Sequence, residues 1–197
     1  MSEKSPPKTE KAWLTNLADT LNSVVCHDVS GQQIEFSAAC DKVRDLILAV
    51  RAEGRRIYWV GNGGSAALCS HLSQDFFNKL KVRSQVFSDH AQNTCLANDF
   101  GYEHAYRIQV ERFVEKGDLL IAVSSGGNSK NILNSVEQAR SQGARIVALS
   151  GFGADNKLRQ QKVDVSFYLN SNLYGIVEVG HECIIHSILE TTWLRER

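Results

Sequence analysis

Apolar side chains recur at helical spacing through the first fifty residues. Trp13, Leu14, Leu17, Leu21 and Val24 do so over 12–25, and Ile34, Ala38, Val43, Leu46, Ile47 and Val50 over 32–53, which predicts two amphipathic helices. Gly54 suits the C-cap of the second. From residue 55 the rhythm changes to short, nearly continuous apolar runs: RRIYWV (55–60), SQVFS (84–88), GDLLIAVSS (117–125), ARIVALSG (144–151) and VDVSFYL (163–169). Helical stretches are predicted between and after them at 64–77, 90–114, 129–142, 156–161 and 175–195. Buried strands alternating with helices predict an α/β fold, a doubly wound parallel five-stranded sheet flanked by helices, with two extra N-terminal helices. Those extra helices suit either a subunit interface or packing on their own sheet. Residues 1–10 read as a flexible tail and 11–197 as one domain, with no repeat or linker.

Composition narrows the function classes. The 197 residues carry 22 basic and 22 acidic side chains, so no global field draws the chain to nucleic acid or acidic lipid. The opening MSEKSPPKTEKAW is polar, and no apolar run approaches the ~18 residues a membrane span needs. Cys26, Cys40, Cys69, Cys95 and Cys183 are scattered without a CxxC pair, the pattern of reduced thiols in a cytoplasmic protein.

Two strand-to-helix turns are built from small residues, Gly61-Asn62-Gly63-Gly64-Ser65 and Ser124-Ser125-Gly126-Gly127-Asn128-Ser129. Glycines let backbone N–H groups approach an anion, and a helix N-terminus favours negative charge. Neither turn is a Walker or dinucleotide motif, and an ordinary capped helix start is the alternative for each. Four hydroxyls (Ser65, Ser124, Ser125, Ser129) without Lys or Arg suit a sugar phosphate better than a nucleoside triphosphate with Mg²⁺.

His71 and Asp75 lie at i, i+4 on the helix after the first turn, and Glu178, Glu182 and His186 follow at i, i+4 steps on the last helix. Glu178 and His186 differ by about 80° around that helix. Two His and two carboxylates can bind Zn²⁺, or work as acid and base; surface ion pairs are the alternative. Asn98-Asp99 is a further polar pair, open to reading as a helix-capping turn.

Taken in order, GNGGSAAxxxHxxxD, LANDFGYE, SSGGNSxNIL and ExxHxxxxH resemble the phosphoheptose isomerases, which are single-domain sugar isomerase (SIS) proteins. The resemblance covers almost the whole chain. It implies a flavodoxin/Rossmann-like SIS fold and a homotetramer with active sites at subunit interfaces. The implied reaction converts sedoheptulose 7-phosphate to D-glycero-D-manno-heptose 7-phosphate through a cis-enediol, toward nucleotide-activated heptose for lipopolysaccharide or capsule. It puts Asn62, Gly63, Gly64, Ser65, Asn98, Asp99, Ser124, Ser125, Gly126, Ser129 and Glu178 around the phosphosugar. His71, Asp75, Glu178 and His186 fall on the positions of one Zn²⁺ per site. In this scheme Asp75 is the base and His186 the acid. Three positions depart from the family pattern: Asp75 for Glu, Glu178 for Gln, and Gly126 where a hydroxyl residue is usual. The same fold also includes non-catalytic members, a replication-initiator-associating protein and regulatory phosphosugar-binding modules. The acid at Asp75 and the retained His186 favour the enzyme.

Overall fold

Residues 6–197 are described by the computed structural model. The chain order is α1 (Glu10–Asn22), β1 (Val25–Asp28), β2 (Gln33–Ile34), α2 (Phe36–Ala52), β3 (Arg56–Val60), α3 (Gly64–Leu80), β4 (Arg83–Val86) and α4 (His90–Phe100). A 3-10 turn (Tyr102–His104) follows, then α5 (Ala105–Phe113), β5 (Leu119–Ser124), α6 (Lys130–Ser141), β6 (Arg145–Gly151), β7 (Val165–Leu169) and α7 (Tyr174–Arg195). All six positions of β5 are buried, as expected for an apolar strand covered on both faces. Alternation along β3 feeds two layers. Ile57 and Trp59 join Val43, Phe76 and Ile185 on one face of the sheet. Tyr58 and Val60 join Val110, Ile132 and Val136 on the other. The Trp59 indole N–H, deep in the first layer, donates to Ser84 Oγ at 2.8 Å, so its burial leaves no polar atom unpaired.

The sheet has seven strands in the order β2-β1-β7-β6-β5-β3-β4, two more than the sequence pattern predicts. β3, β4, β5, β6 and β7 are mutually parallel, and β1 and β2 add an antiparallel hairpin beside β7. The first predicted helix therefore stops at Asn22, not 25. The hairpin turn is organised by Asp28, whose Oδ1 accepts from the N–H groups of Ser30 and Gln32 and from the Ser30 hydroxyl, with Gly31 at φ +80°. Of the tail expected over 1–10, residues 1–5 lie outside the described residues. Thr9 caps α1 by accepting from the Ala12 N–H. The stretch 90–114 divides at Gly101 (φ +89°) into α4, the 3-10 turn and α5. Residues 156–161 form turns instead of the short helix expected.

The position of the site follows from connectivity. The chain leaves β3 for β4 on one side, while β5 lies on the other. The gap beyond the carboxyl ends of β3 and β5 is a topological switch point, where open α/β sheets bind ligands. α3 and α7 both start at that end. Glu178 meets Gly64, His186 meets His71, and Glu190 meets Lys79, so the two helices run parallel and in step.

Candidate active site

A cavity of about 420 Å³ opens at the switch point, lined by Asn62, Ser65, Ser124, Ser125, Gly126, Asn128, Ser129, Phe152, Gly153, Tyr174 and Glu178. Its polar side is the start of α3 and α6. Gly63 makes the turn out of β3 at φ +54°, a conformation that favours glycine, and leads through Gly64 into α3. Ser129 takes the N-cap of α6 in extended conformation, yet its hydroxyl makes no cap bond and faces the cavity. The two turns are tied together. Asn62 and Asn131 exchange side-chain amide hydrogen bonds at 2.8 and 3.0 Å, and the Tyr102 hydroxyl donates to Asn62 Oδ1 at 2.8 Å. The buried Ser65 and Ser125 hydroxyls lie 3.3 Å apart. Tyr106, its phenol pushed up to about 12 by burial, donates to the Gly61 carbonyl at 2.6 Å. Among the described residues Glu178 is the one charged side chain lining the cavity, so the attraction for an anion comes from hydroxyls and helix N-termini.

The far wall is held from β6. Gly151 N–H donates to the Ser125 carbonyl at 2.9 Å, and Leu158 N–H to the Gly127 carbonyl at 2.8 Å. Asn156, 2% exposed, donates to the carbonyls of Gly151 and Gly153 and to Ser150 Oγ, while its Oδ1 accepts from the Arg159 N–H. A β-carbon on Gly127 (φ +65°) would lie 2.0 Å from Asn156 Oδ1, so this contact admits glycine alone. His181 reaches the same strand end, its Nε2 lying 3.1 Å from the Ser150 carbonyl. Burial pushes this imidazole down to about 4, so it is neutral, and Nε2 is the donor.

Farther along α3 and α7, His71, Asp75 and His186 bring one ligand atom each to within 4.8 Å of one another. The His71 and His186 ring centroids are 5.2 Å apart. The Asp75 side chain is 13% exposed and lies 3.4 Å from Lys79 Nζ, which also pairs with Glu190. His186 Nε2 is 3.9 Å from Glu182 Oε1. Two imidazoles and a carboxylate make a donor set of the kind that holds zinc with an open coordination position.

Asn98 and Asp99 lie away from the cavity, and Glu178 lines the cavity but not the His–Asp–His group. Glu178 stands outside the His71–Asp75–His186 group: its carboxylate rests on Gly64, where a β-carbon would sit 2.5 Å from Oε2, and it forms part of the cavity wall. Of the four side chains expected to bind Zn²⁺, His71, Asp75 and His186 are grouped here and Glu178 is set apart from them. Helical phase alone does not bring Glu178 to His186, because eight residues separate them by about 12 Å along the axis. Asn98 and Asp99 do not line the cavity. Asn98 donates to Asp99 at 2.9 Å on α4, which buries none of its residues. Asn128, Asn131, Tyr102, Phe152, Tyr174 and Asn156 were not singled out beforehand. The NSxN spacing carries Asn128 and a trace of Asn131, and LANDFGYE carries Tyr102, but nothing local marks the others.

A family profile described as SIS domain matches residues 28–151. The phosphoheptose isomerase of Fusobacterium nucleatum is 30% identical over 155 residues, 76% of this chain and 79% of that protein. That of Histophilus somni is 31% identical over 146 residues, 72% of each chain. The chain belongs to the SIS phosphoheptose isomerase family. Two solved structures extend the likeness of fold. Phosphoheptose isomerase GmhA from Neisseria gonorrhoeae superposes with a TM-score of 0.74 at 24% identity, over 79% of this chain and 86% of that one. A phosphoheptose isomerase from Francisella tularensis gives 0.77 at 19% identity, over 92% and 93%. The SIS profile spans both glycine turns with His71 and Asp75, and ends before Glu178 and His186. The SIS core thus supplies the cradle, while the last helix completes the His–Asp–His group. Among the described residues no helix is long and apolar enough to cross a membrane.

Proposed function

We propose that this SIS protein is an aldose–ketose isomerase that interconverts sedoheptulose 7-phosphate and D-glycero-D-manno-heptose 7-phosphate, in the supply of nucleotide-activated heptose. One arrangement carries the reading: an anion cradle at the start of α3 and α6, and a His–Asp–His group farther along α3 against α7. Ser65 and His71 are about 9 Å apart along α3, and Glu178 and His186 about 12 Å along α7. An extended seven-carbon sugar phosphate, about 10 Å from C1 to phosphorus by bond geometry, matches that span.

In this scheme the hydroxyls of Ser65, Ser124, Ser125 and Ser129, the Asn62 amide and the N–H groups about Gly63, Gly64 and Gly126 hold the phosphate. The Glu178 carboxylate accepts from a sugar hydroxyl. The carbonyl end then reaches Asp75 and His186. The Asp75 carboxylate takes the carbon-bound proton, and a ring N–H of His186 gives a proton to the carbonyl oxygen, forming a cis-enediol. The protonated Asp75 then gives its proton to the neighbouring carbon while His186 takes the proton of the second enediol hydroxyl, which moves the carbonyl between C1 and C2. His71, Asp75 and His186 would hold a zinc-type divalent ion, which when bound supplies Lewis-acid polarisation of the substrate carbonyl.

The exposed α4 supports a homotetramer with interface active sites. It carries Asn98 and Asp99 with the exposed Phe100, so a second copy would bring these residues to a cavity. Five unpaired cysteines suit the cytoplasm. The test is incubation with sedoheptulose 7-phosphate, with and without chelator, following the aldose. Turnover is expected, with loss on chelation. Tight phosphosugar binding without turnover at any divalent metal concentration would overturn the enzyme and favour a non-catalytic phosphosugar-binding protein.

A further inference from the structure

Part of the cavity wall is aromatic. Phe152 and Tyr174 meet edge to face, with centroids 4.7 Å apart and planes at 72°. Both line the cavity, and Tyr174 is 63% exposed at its mouth. Phe152 sits at φ +59°, a region disfavoured for a side chain with a β-carbon. Such a conformation persists only where the surroundings fix it, and observed outliers of this kind gather at ligand sites. Here both backbone groups of Phe152 are engaged: its N–H donates to the Ser171 carbonyl at 3.0 Å, and its carbonyl accepts from the Tyr168 hydroxyl at 2.7 Å. The Arg159 guanidinium covers the Tyr168 ring at 4.3 Å. The Phe152 ring in turn lies over Gly126, where a β-carbon would stand 3.7 Å from Cδ2. The turn position without a hydroxyl is therefore the one an aromatic ring covers.

We infer that Phe152 and Tyr174 are specificity-determining residues that take the C–H face of the bound sugar, while the serine hydroxyls of the same cavity take its phosphate. A sugar phosphate is polar at its hydroxyl edges and phosphate and apolar on its C–H faces, and a cavity lined by both serine hydroxyls and aromatic rings matches that division. The ring pair discriminates phosphosugars from small phosphate anions, and the Phe152 ring stands at ordinary contact distance from position 126 of the cradle. This inference rests on the reading of the cavity as a phosphosugar site.

The test is calorimetric binding of sedoheptulose 7-phosphate and of inorganic phosphate to the full chain and to Phe152→Gly, Phe152→Tyr and Tyr174→Ala. Glycine accepts φ +59° without strain, so Phe152→Gly is expected to fold. It should weaken the sugar phosphate about tenfold and inorganic phosphate less than about twofold, Tyr174→Ala should weaken the sugar phosphate about threefold, and Phe152→Tyr should keep both affinities. Equal loss for both ligands in Phe152→Gly would make the ring a structural prop, and no loss would remove it from the site; either overturns the inference while the phosphosugar reading stands. A wild-type chain that binds neither ligand would overturn both.

Discussion

At the strand ends, Asn62 and Asn131 exchange hydrogen bonds, Ser65 and Ser125 touch, and Asn156 holds its own turn, 150–159, through four hydrogen bonds. About two helical turns away on the same α3 and α7, His71 is exposed, the His186 side chain is 30% exposed, and Asp75 is shared with a lysine. The first half of the candidate site is fixed by backbone and buried amides. The second half is three side chains projecting from two helices, with their charge balanced by a neighbour. A preorganised cradle costs little to fill, because its groups are ordered before the ligand arrives. The His–Asp–His group is arranged to exchange partners, which suits atoms that must move protons or take up a cation.

That contrast separates by mutation, and the largest effect belongs to the second half. Asp75→Asn and His186→Gln should each lower kcat by on the order of 10²–10⁴, the range for losing a positioned acid or base. Phosphate affinity and thermal midpoint should hardly move, because neither residue touches the cradle. Kinetics with sedoheptulose 7-phosphate, paired with phosphate titration, would check this. Equal collapse of catalysis and of phosphate binding would show that the two halves are not separable.

The reverse change is Asn156→Ala. It leaves the buried Ser150 hydroxyl and Gly151 carbonyl, and the more open Gly153 carbonyl, without this donor and the Arg159 N–H without its acceptor. Each unsatisfied buried group costs about 1–3 kcal/mol, and partial relaxation brings the sum to roughly 2–4 kcal/mol. Denaturant unfolding should show that loss, and phosphate affinity should fall as the turn at 124–129 loosens. Divalent-ion affinity at His71, Asp75 and His186 should stay, since none of them contacts this network. An unchanged phosphate affinity would mean that the cradle does not depend on the clasp.

The same contrast decides what could be read from the chain alone. Apolar runs mark β3, β5, β6 and β7, and their periodicity requires a doubly wound sheet. The cradle is legible because glycines and serines crowd into two short turns. His71 and Asp75 are legible because helical spacing fixes their common face. The hairpin β1–β2 is not. VCHD has no apolar run, and the Asp28-Val29-Ser30-Gly31 turn lies where two helical rhythms nearly meet. Asn156 and Phe152 belong to an irregular turn whose shape is set by tertiary hydrogen bonds, so no local pattern announces them. Glu178 shows the limit of helical phase: it places a carboxylate on a face, but not which neighbour along 12 Å of axis the side chain leans toward.

The smallest effect concerns Lys79. Its ammonium lies between Asp75 and Glu190 and also 5.5 Å from the Trp193 ring centroid, so it occupies the electrostatic place beside Asp75 that a bound cation would share. Lys79→Met keeps the apolar stem against Trp193 and removes the charge. A partly exposed pair of this kind contributes at most about 1 kcal/mol, so the fold should survive. Removing a competing cation and a nearby repulsive charge should raise zinc affinity at His71, Asp75 and His186 by about threefold, within that same energy. Competition against a chelating dye reads the change directly, without reference to turnover, and phosphate binding at the cradle serves as the internal control. A lower zinc affinity in Lys79→Met would show instead that the lysine orients Asp75 for the ion, making the second half of the site as built as the first.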